Sequence, residues 1–229
     1  MPTFTEENYL KAIHKLAERG GGKPDVSTTA LAAALRTRAA SVSDMLRRLA
    51  DKGHIHYEKY RGARLTESGR AVAVQTIRRH RLWEVFLVEK LGFSWDEVHE
   101  VAEEMEHLRS DVLIERLDAF LGHPTRDPHG DPIPSAEGQF NPRPANQCAL
   151  SDVAPGTAPV RVVALADTHV RFLQHLDLLG LRPGTTLTVV ERYEYDGTAR
   201  VRLRNDAESS GSEVMVSRET AQKVLVLPL

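Results

Sequence analysis

Apolar residues recur at intervals of three and four from Tyr9 to Leu121, a period that predicts a run of amphipathic helices. Tyr9, Ile13 and Leu16 share one face of a first helix, which opens at Thr5-Glu6-Glu7-Asn8 and is expected to stop at Gly20-Gly21-Gly22. Val26-Ser27-Thr28-Thr29 caps a short second helix, Ala30 to Leu35. A turn through Arg36-Thr37-Arg38 leads to a third, Ala39 to Lys52, with Val42, Met45, Leu46 and Leu49 inward and Gly53 as its stop. Two short helices joined by a tight turn outline a helix-turn-helix.

After Gly53 the pattern changes. His54 to Tyr60, a turn at Arg61-Gly62-Ala63-Arg64 and then Leu65-Thr66 predict a β-hairpin, and a hairpin directly after a recognition helix is a wing. Helical period returns over Glu67 to Leu91, with Val72, Val74, Ile77, Leu82, Val85, Phe86 and Leu87 as its stripe. Ser94-Trp95-Asp96-Glu97 opens the next helix, which is expected to run through His107, and Ser110-Asp111 opens another that ends at Gly122. The apolar faces left over on these three helices suit a homodimer.

From His123 to Pro159 prolines accumulate and hydrophobic residues thin out, the signature of a linker. Beyond it, Val160–Leu165, Thr186–Val190, Ala199–Leu203, Glu213–Val216 and Lys223–Leu227 alternate as five short strands, with one helix at Val170 to Leu179. The expected fold is mainly α with a C-terminal all-β module: a winged helix-turn-helix domain over 1–70, a helical dimerisation and metal-binding domain over 71–134, a Pro-rich linker over 135–158 and an SH3-like small barrel over 159–229.

Composition narrows the classes. The chain has 229 residues, 41% of them apolar, enough for real cores. No run of about 18 apolar residues appears and the first residues are polar, so neither a membrane span nor a secretory signal is expected, and the location is expected to be cytoplasmic. The single cysteine, Cys148, excludes an internal disulfide framework and has no basic partner in sequence to activate it.

The net charge of −2 hides an asymmetry. Arg36 to Arg81 holds twelve basic residues against four acidic ones, and Trp83 to Asp118 holds eleven acids against three bases. The basic block suits a polyanion, double-stranded DNA above all. Its expected contacts are Thr37, Arg38, Ala40, Ser41, Ser43, Asp44, Arg47 and Arg48 at the helix-turn-helix, facing the major groove, and Lys59, Arg61 and Arg64 on the wing, facing phosphates or the minor groove.

Within the acidic block, His99, Glu103, Glu106 and His107 stack on neighbouring helical turns. That set reads either as a solvated acidic face or as hard oxygen and imidazole donors for Mn(II), Fe(II), Zn(II) or Co(II). His80 and Glu84, four apart on the preceding helix, form a second donor pair. A carboxylate-bundle metalloenzyme needs a second Glu-x-x-His, and no other histidine has a glutamate three residues before it, so no enzymatic role is expected.

Thr5-Glu6-Glu7-Asn8-Tyr9-Leu10-Lys11-Ala12-Ile13, Tyr57-Glu58-Lys59-Tyr60-Arg61-Gly62, His80-Arg81-Leu82, Glu106-His107 and Gly130-Asp131-Pro132-Ile133-Pro134 follow one another in an order that resembles the diphtheria toxin repressor and manganese transport regulator family. The C-terminal strands are similar to that family's FeoA-like barrel. The resemblance implies a homodimeric, metal-dependent repressor of metal-uptake genes that binds a palindromic operator. It implies a primary metal site at Asn8, Glu103, Glu106 and His107 and an ancillary site at His80, Glu84 and His99. The barrel's added ligand falls on His169, with Asp167 as the neighbouring alternative.

Glu103 stands where iron-type members carry cysteine, which points to Mn(II), with Fe(II) as the alternative and Zn(II), Co(II) or Cd(II) as surrogates. Two positions depart from the manganese-type pattern. Asn8 replaces an aspartate and offers only a neutral oxygen, leaving Glu7 or water to substitute. Lys11 replaces a glutamate ligand and places a cation there.

Overall fold

The computed structural model describes residues 2–19, 25–142, 144–204 and 212–229. The expected stop of the first helix at Gly20-Gly21-Gly22 lies outside them. The chain divides into two compact units: Met1–His80 with Glu103–Ile114 and Pro134–Phe140, and Arg81–Ala102 with Glu115–Ile133 and Asn141–Leu229.

In the first unit, α1 (Phe4–Arg19), α2 (Thr28–Ala34) and α3 (Ala39–Asp51) precede a hairpin of β1 (Ile55–Glu58) and β2 (Gly62–Leu65), and α4 (Glu67–Leu91) begins directly after it. Ser27 caps α2, its Oγ accepting the Ala30 amide at 3.1 Å. Leu10, Ile13, Leu31, Val42, Leu46, Leu49, Ile55 and Ala63 form one core. Burying each of the larger side chains contributes about 1.5–3 kcal/mol, which sets how the helices and wing meet.

The wing differs in register from the sequence expectation. Its turn is Lys59-Tyr60-Arg61, and Gly62 to Leu65 is already the second strand, with Arg64 opposite His56 and Gly62 opposite Glu58. Backbone conformation decides this. Tyr60 takes φ 71°, and Gly62 takes φ 120° where an added Cβ would lie 2.5 Å from the Val26 carbonyl oxygen. Val26 and Ala63 exchange backbone hydrogen bonds at 2.8 and 2.9 Å, so the segment before α2 extends the hairpin by a short third bridge.

The second unit holds a six-stranded antiparallel sheet with strands β3 (Cys148–Ala149), β4 (Val160–Leu165), β5 (Thr186–Arg192), β6 (Ala199–Arg204), β7 (Glu213–Val216) and β8 (Val224–Pro228), in the order β3-β8-β4-β5-β6-β7. In β6 the alternation is plain: Ala199, Val201 and Leu203 are buried and Arg202 and Arg204 are exposed. Helix α7 (Val170–Leu179) contributes Leu173 and Leu176 to the same core, and a short α8 (Arg218–Lys223) precedes β8.

Within the stretch read as linker, Cys148 and Ala149 pair with Val226 and Leu225, and Leu150 is fully buried. Edge pairing to a distant strand leaves no local period, which is why sequence patterning missed it. Burial and nearby Asp152 raise the Cys148 thiol pKa, in keeping with an inert side chain. Among the described residues no helix is long and apolar enough to cross a membrane.

Candidate metal centre and nucleic-acid interface

Packing of Val42, Leu46 and Leu49 inward turns the opposite face of α3 to solvent. Thr37, Arg38, Ala40, Ser41, Asp44, Arg47 and Arg48 are exposed there and Ser43 is half-buried, its hydroxyl donating to the Ala39 carbonyl at 3.0 Å. Arg47 and Asp44 pair at 2.9 Å with both side chains exposed, so the pair contributes little to stability and stays available to a partner. On the wing, Lys59, Arg61 and Arg64 are exposed. Tyr60 at its tip is 93% exposed under the Lys59 ammonium, 5.1 Å from the ring centre, an exposed aromatic that strand patterning did not single out.

Two donor groups form around Glu84, the expected ancillary set of His80, Glu84 and His99 and a second set of Glu84, Asp127 and His129. Glu84, Asp127 and His129 are all buried, and one ligand atom from each lies within 4.8 Å of the others. His99, from α5 (Val98–Met105), places Nδ1 3.2 Å from Glu84 Oε1. Neither Asp127 nor His129 was among the expected ligands; they lie in a Pro-rich, aperiodic tract where only the closely spaced acid and imidazole of Asp127-Pro128-His129 offered a signal.

This tract is built by its own hydrogen bonds. Asp127 Oδ1 accepts the amides of His129 and Asp131, each at 2.9 Å, an Asx-type turn that fixes the loop. Arg81 Nε lies 3.5 Å from Asp127 Oδ2 and its guanidinium also reaches Asp131. His129 Nε2 donates to the Trp95 carbonyl at 2.7 Å, leaving Nδ1 turned to Glu84 at 3.8 Å.

Burial together with the charges of Glu84 and Asp131 pushes the Asp127 carboxyl up to about 7. Burial by itself would lower the His129 imidazole, but the carboxylates of Glu84 and Asp127 lift it to about 9. Two buried carboxylates and one imidazole with ligand atoms within 4.8 Å of one another are a donor set that fits a divalent metal, with Arg81 as the competing cation at Asp127.

The ligands expected at the primary site lie elsewhere. α5 ends at Met105, so Glu106 and His107 fall in the turn after it rather than on the helix. Glu106 is fully buried, and both its oxygens face the Lys11 ammonium, at 2.7 and 2.8 Å. Lys11 also reaches Glu103 Oε1 at 3.4 Å, and His80 Nδ1 lies 2.8 Å from Glu106 Oε2. Burial raises the Glu106 carboxyl, but the His80 hydrogen bond and the Lys11 charge outweigh it and hold the group below the usual carboxylate range.

His107 turns Nδ1 to Glu7 Oε2 at 2.6 Å, and its ring stacks on Phe4. Asn8 Oδ1 is buried with no hydrogen-bond partner among the described residues. The structure therefore brings Glu103 and Glu106 together around Lys11, while among the described residues Glu103, Glu106 and His107 do not make a group of three converging ligand atoms.

His169 is exposed at the N-cap of α7, where its Nδ1 accepts the Arg171 amide at 3.4 Å. Asp167 pairs with Lys223 at 3.1 Å. Neither belongs to a converging donor group among the described residues, because one ring is used as a helix cap and the other carboxylate is neutralised.

Comparison with known proteins agrees with this architecture along the chain. The family model of the iron dependent repressor N-terminal DNA binding domain matches residues 1–63, that of the iron dependent repressor metal binding and dimerisation domain matches residues 66–135, and that of the FeoA domain matches residues 148–228. The iron-dependent repressor IdeR of Mycobacterium tuberculosis is 33% identical over 198 residues, spanning 81% of this chain and 83% of the relative. The diphtheria toxin repressor of Corynebacterium efficiens is 36% identical over 131 residues, 57% of this chain and 55% of the relative.

Among solved structures, a manganese-dependent transcriptional repressor in complex with manganese superimposes with a TM-score of 0.82 at 37% identity, covering 98% of this chain and 100% of that one. ScaR with bound zinc gives 0.73 at 27% identity, with both chains fully covered. With a winged helix, a helical metal-binding and dimerisation segment and a FeoA module in this order, the chain belongs to the iron-dependent (diphtheria toxin) repressor family of metal-dependent, DNA-binding transcriptional repressors.

Proposed function

We propose that this chain is a Mn(II)-responsive repressor of metal-uptake genes, acting in the cytoplasm as a homodimer on a palindromic operator. The observation that carries the metal assignment is the donor set at Glu84, Asp127 and His129, two carboxylates and one imidazole without sulfur. Hard oxygen donors favour Mn(II) and Fe(II) over softer ions, and the likeness to a manganese-bound repressor supports the first of these.

A bound divalent cation supplies the positive charge that Glu84, Asp127 and His129 otherwise take from protons. The residues do the rest. Glu84 sits on α4, the helix that starts where the wing ends, and His99 and the preceding His80 line the same stretch as its expected companions. Holding Glu84 in one position selects one arrangement of the DNA-reading elements, a population shift set by the difference in cation affinity between states. Arg47, Ser43 and their neighbours on α3 then read bases, and Lys59, Arg61 and Arg64 hold phosphates.

A gel-shift titration with the promoter of a metal-uptake gene tests this. Binding is expected with Mn(II), weaker with Fe(II), and absent with chelator, with Zn(II), Co(II) or Cd(II) acting as surrogates. Operator binding indifferent to chelator, or stronger with Fe(II) than with Mn(II), overturns the manganese reading.

A further inference from the structure

The carboxylates that the family resemblance assigns to a primary metal are already engaged by a lysine. Lys11 Nζ lies 2.7 and 2.8 Å from the two oxygens of Glu106 and 3.4 Å from Glu103 Oε1. Lys11 is 5% exposed and Glu106 0%, so the pair is desolvated and was not formed by a chance swing of a surface side chain. Both Glu106 oxygens are engaged by the ammonium, and His80 Nδ1 lies 2.8 Å from Oε2 as well.

Cations already meet the carboxylates in this part of the first unit. Lys11 meets Glu103 and Glu106, and Arg79 and Arg109 approach Glu7 Oε1 at 3.3 and 3.2 Å. The imidazole expected in the metal's shell gives Nδ1 to Glu7 at 2.6 Å and leaves Nε2 3.9 Å from Glu106 Oε1, so it faces the same carboxylate that Lys11 already holds. A divalent ion entering here would sit beside an ammonium in a buried, low-dielectric setting, where like charges repel strongly.

We propose that Lys11 is a built-in cation that replaces the primary metal at Glu103, Glu106 and His107, tying α1 to the turn after α5 whatever the metal supply. Only the Glu84, Asp127 and His129 set then responds to metal; this last clause rests on the reading given under Proposed function, while the role of Lys11 does not. Asn8 fits the substitution. It adds no charge, and its unpartnered buried Oδ1 is an acceptor that an incoming metal would use once Lys11 is gone.

The test counts Mn(II) bound per full-length chain by electron paramagnetic resonance of the free ion, with melting by circular dichroism as a fold control, for wild type, Lys11→Met, Glu106→Gln, Lys11→Met/Glu106→Gln and Asp127→Asn. Wild type is expected to bind one equivalent and Lys11→Met two. The added equivalent is expected to vanish in the double variant, in which the buried pair is neutral and no charge is stranded should Glu106→Gln fail to fold. Two equivalents in wild type with one lost in the double variant overturn the proposal, as does a folded Lys11→Met that stays at one. Asp127→Asn separates the two readings: if it keeps its equivalent while Lys11→Met still gains one, the Glu84 seat fails and the Lys11 role stands.

Discussion

Gly130 approaches the backbone of Val163 so closely that a Cβ added to it would lie 2.1 Å from the Val163 carbonyl oxygen. Its φ of 88° also lies where side chains are strained. Val163 belongs to β4, and the same strand's Leu165 amide donates to the His129 carbonyl at 3.2 Å. The sheet thus clamps the loop that presents Asp127 and His129. Gly130→Ala is expected to cost about 1–3 kcal/mol of stability through backbone strain. It is also expected to weaken Mn(II) binding about 10–100-fold, as loss of supporting contacts around metal ligands does. Thermal melting and Mn(II) titration check both; a variant with normal metal affinity would show that the clamp does not position the donors.

Asp127→Asn and His129→Ala each remove one donor from the buried set. Each is expected to lose at least about 10-fold in Mn(II) affinity and to shift the Mn(II) concentration needed for operator binding by a similar factor. Isothermal titration and a gel shift on the same preparations measure the two quantities. Equal shifts place the donors in the sensing site; a normal Mn(II) response in either variant removes that residue from it.

Lys59→Ala and Arg64→Ala alter exposed cations on the wing. Each is expected to weaken binding to operator and to unrelated duplex alike and to reduce the slope of log affinity against log salt by about 1, the mark of one lost phosphate contact. Arg47→Ala is expected to relax base preference, at about 1–3 kcal/mol of discrimination. Fluorescence anisotropy across a salt series distinguishes the two classes, and unchanged slopes would take the wing off the phosphate backbone.

Glu6 Oε1 accepts from Lys52 at 2.6 Å, joining α1 to the end of α3, and Oε2 accepts the Thr3 amide at 2.8 Å. Burial raises this carboxyl, but those hydrogen bonds and the Lys52 charge hold it below its ordinary value of 4.5. A group with a lowered folded pKa stabilises the protein above the unfolded value and loses that contribution as pH falls through the folded one. Stability is therefore expected to fall as pH drops below about 4.5. The half-exposed lysine limits the size to roughly 1 kcal/mol. Urea unfolding of wild type and Glu6→Gln between pH 3 and 7 measures it; parallel pH profiles would assign acid sensitivity to other carboxylates.

The helices, wing and strands were legible because each buries a stripe whose period is written in the chain, as with Val42, Leu46 and Leu49 or Ala199, Val201 and Leu203. The exposed face of α3 followed from the same logic, being opposite the stripe and rich in arginine. Errors fell where backbone geometry or distant pairing decides: the wing turn moved because Tyr60 and Gly62 adopt positive φ, and Cys148-Ala149 became a strand only through Val226 and Leu225.

The donor inventory belonged to the sequence alone: Glu84, His99, Glu103, Glu106 and His107 are visible as residue types at helical spacing, and so is the cation at Lys11. Which donors converge was a matter for tertiary structure. Coordination needs ligand atoms within a few ångströms, and no local period reports that Asp127 and His129 return to Glu84 from a proline-rich loop, or that the Lys11 ammonium ends on both oxygens of Glu106.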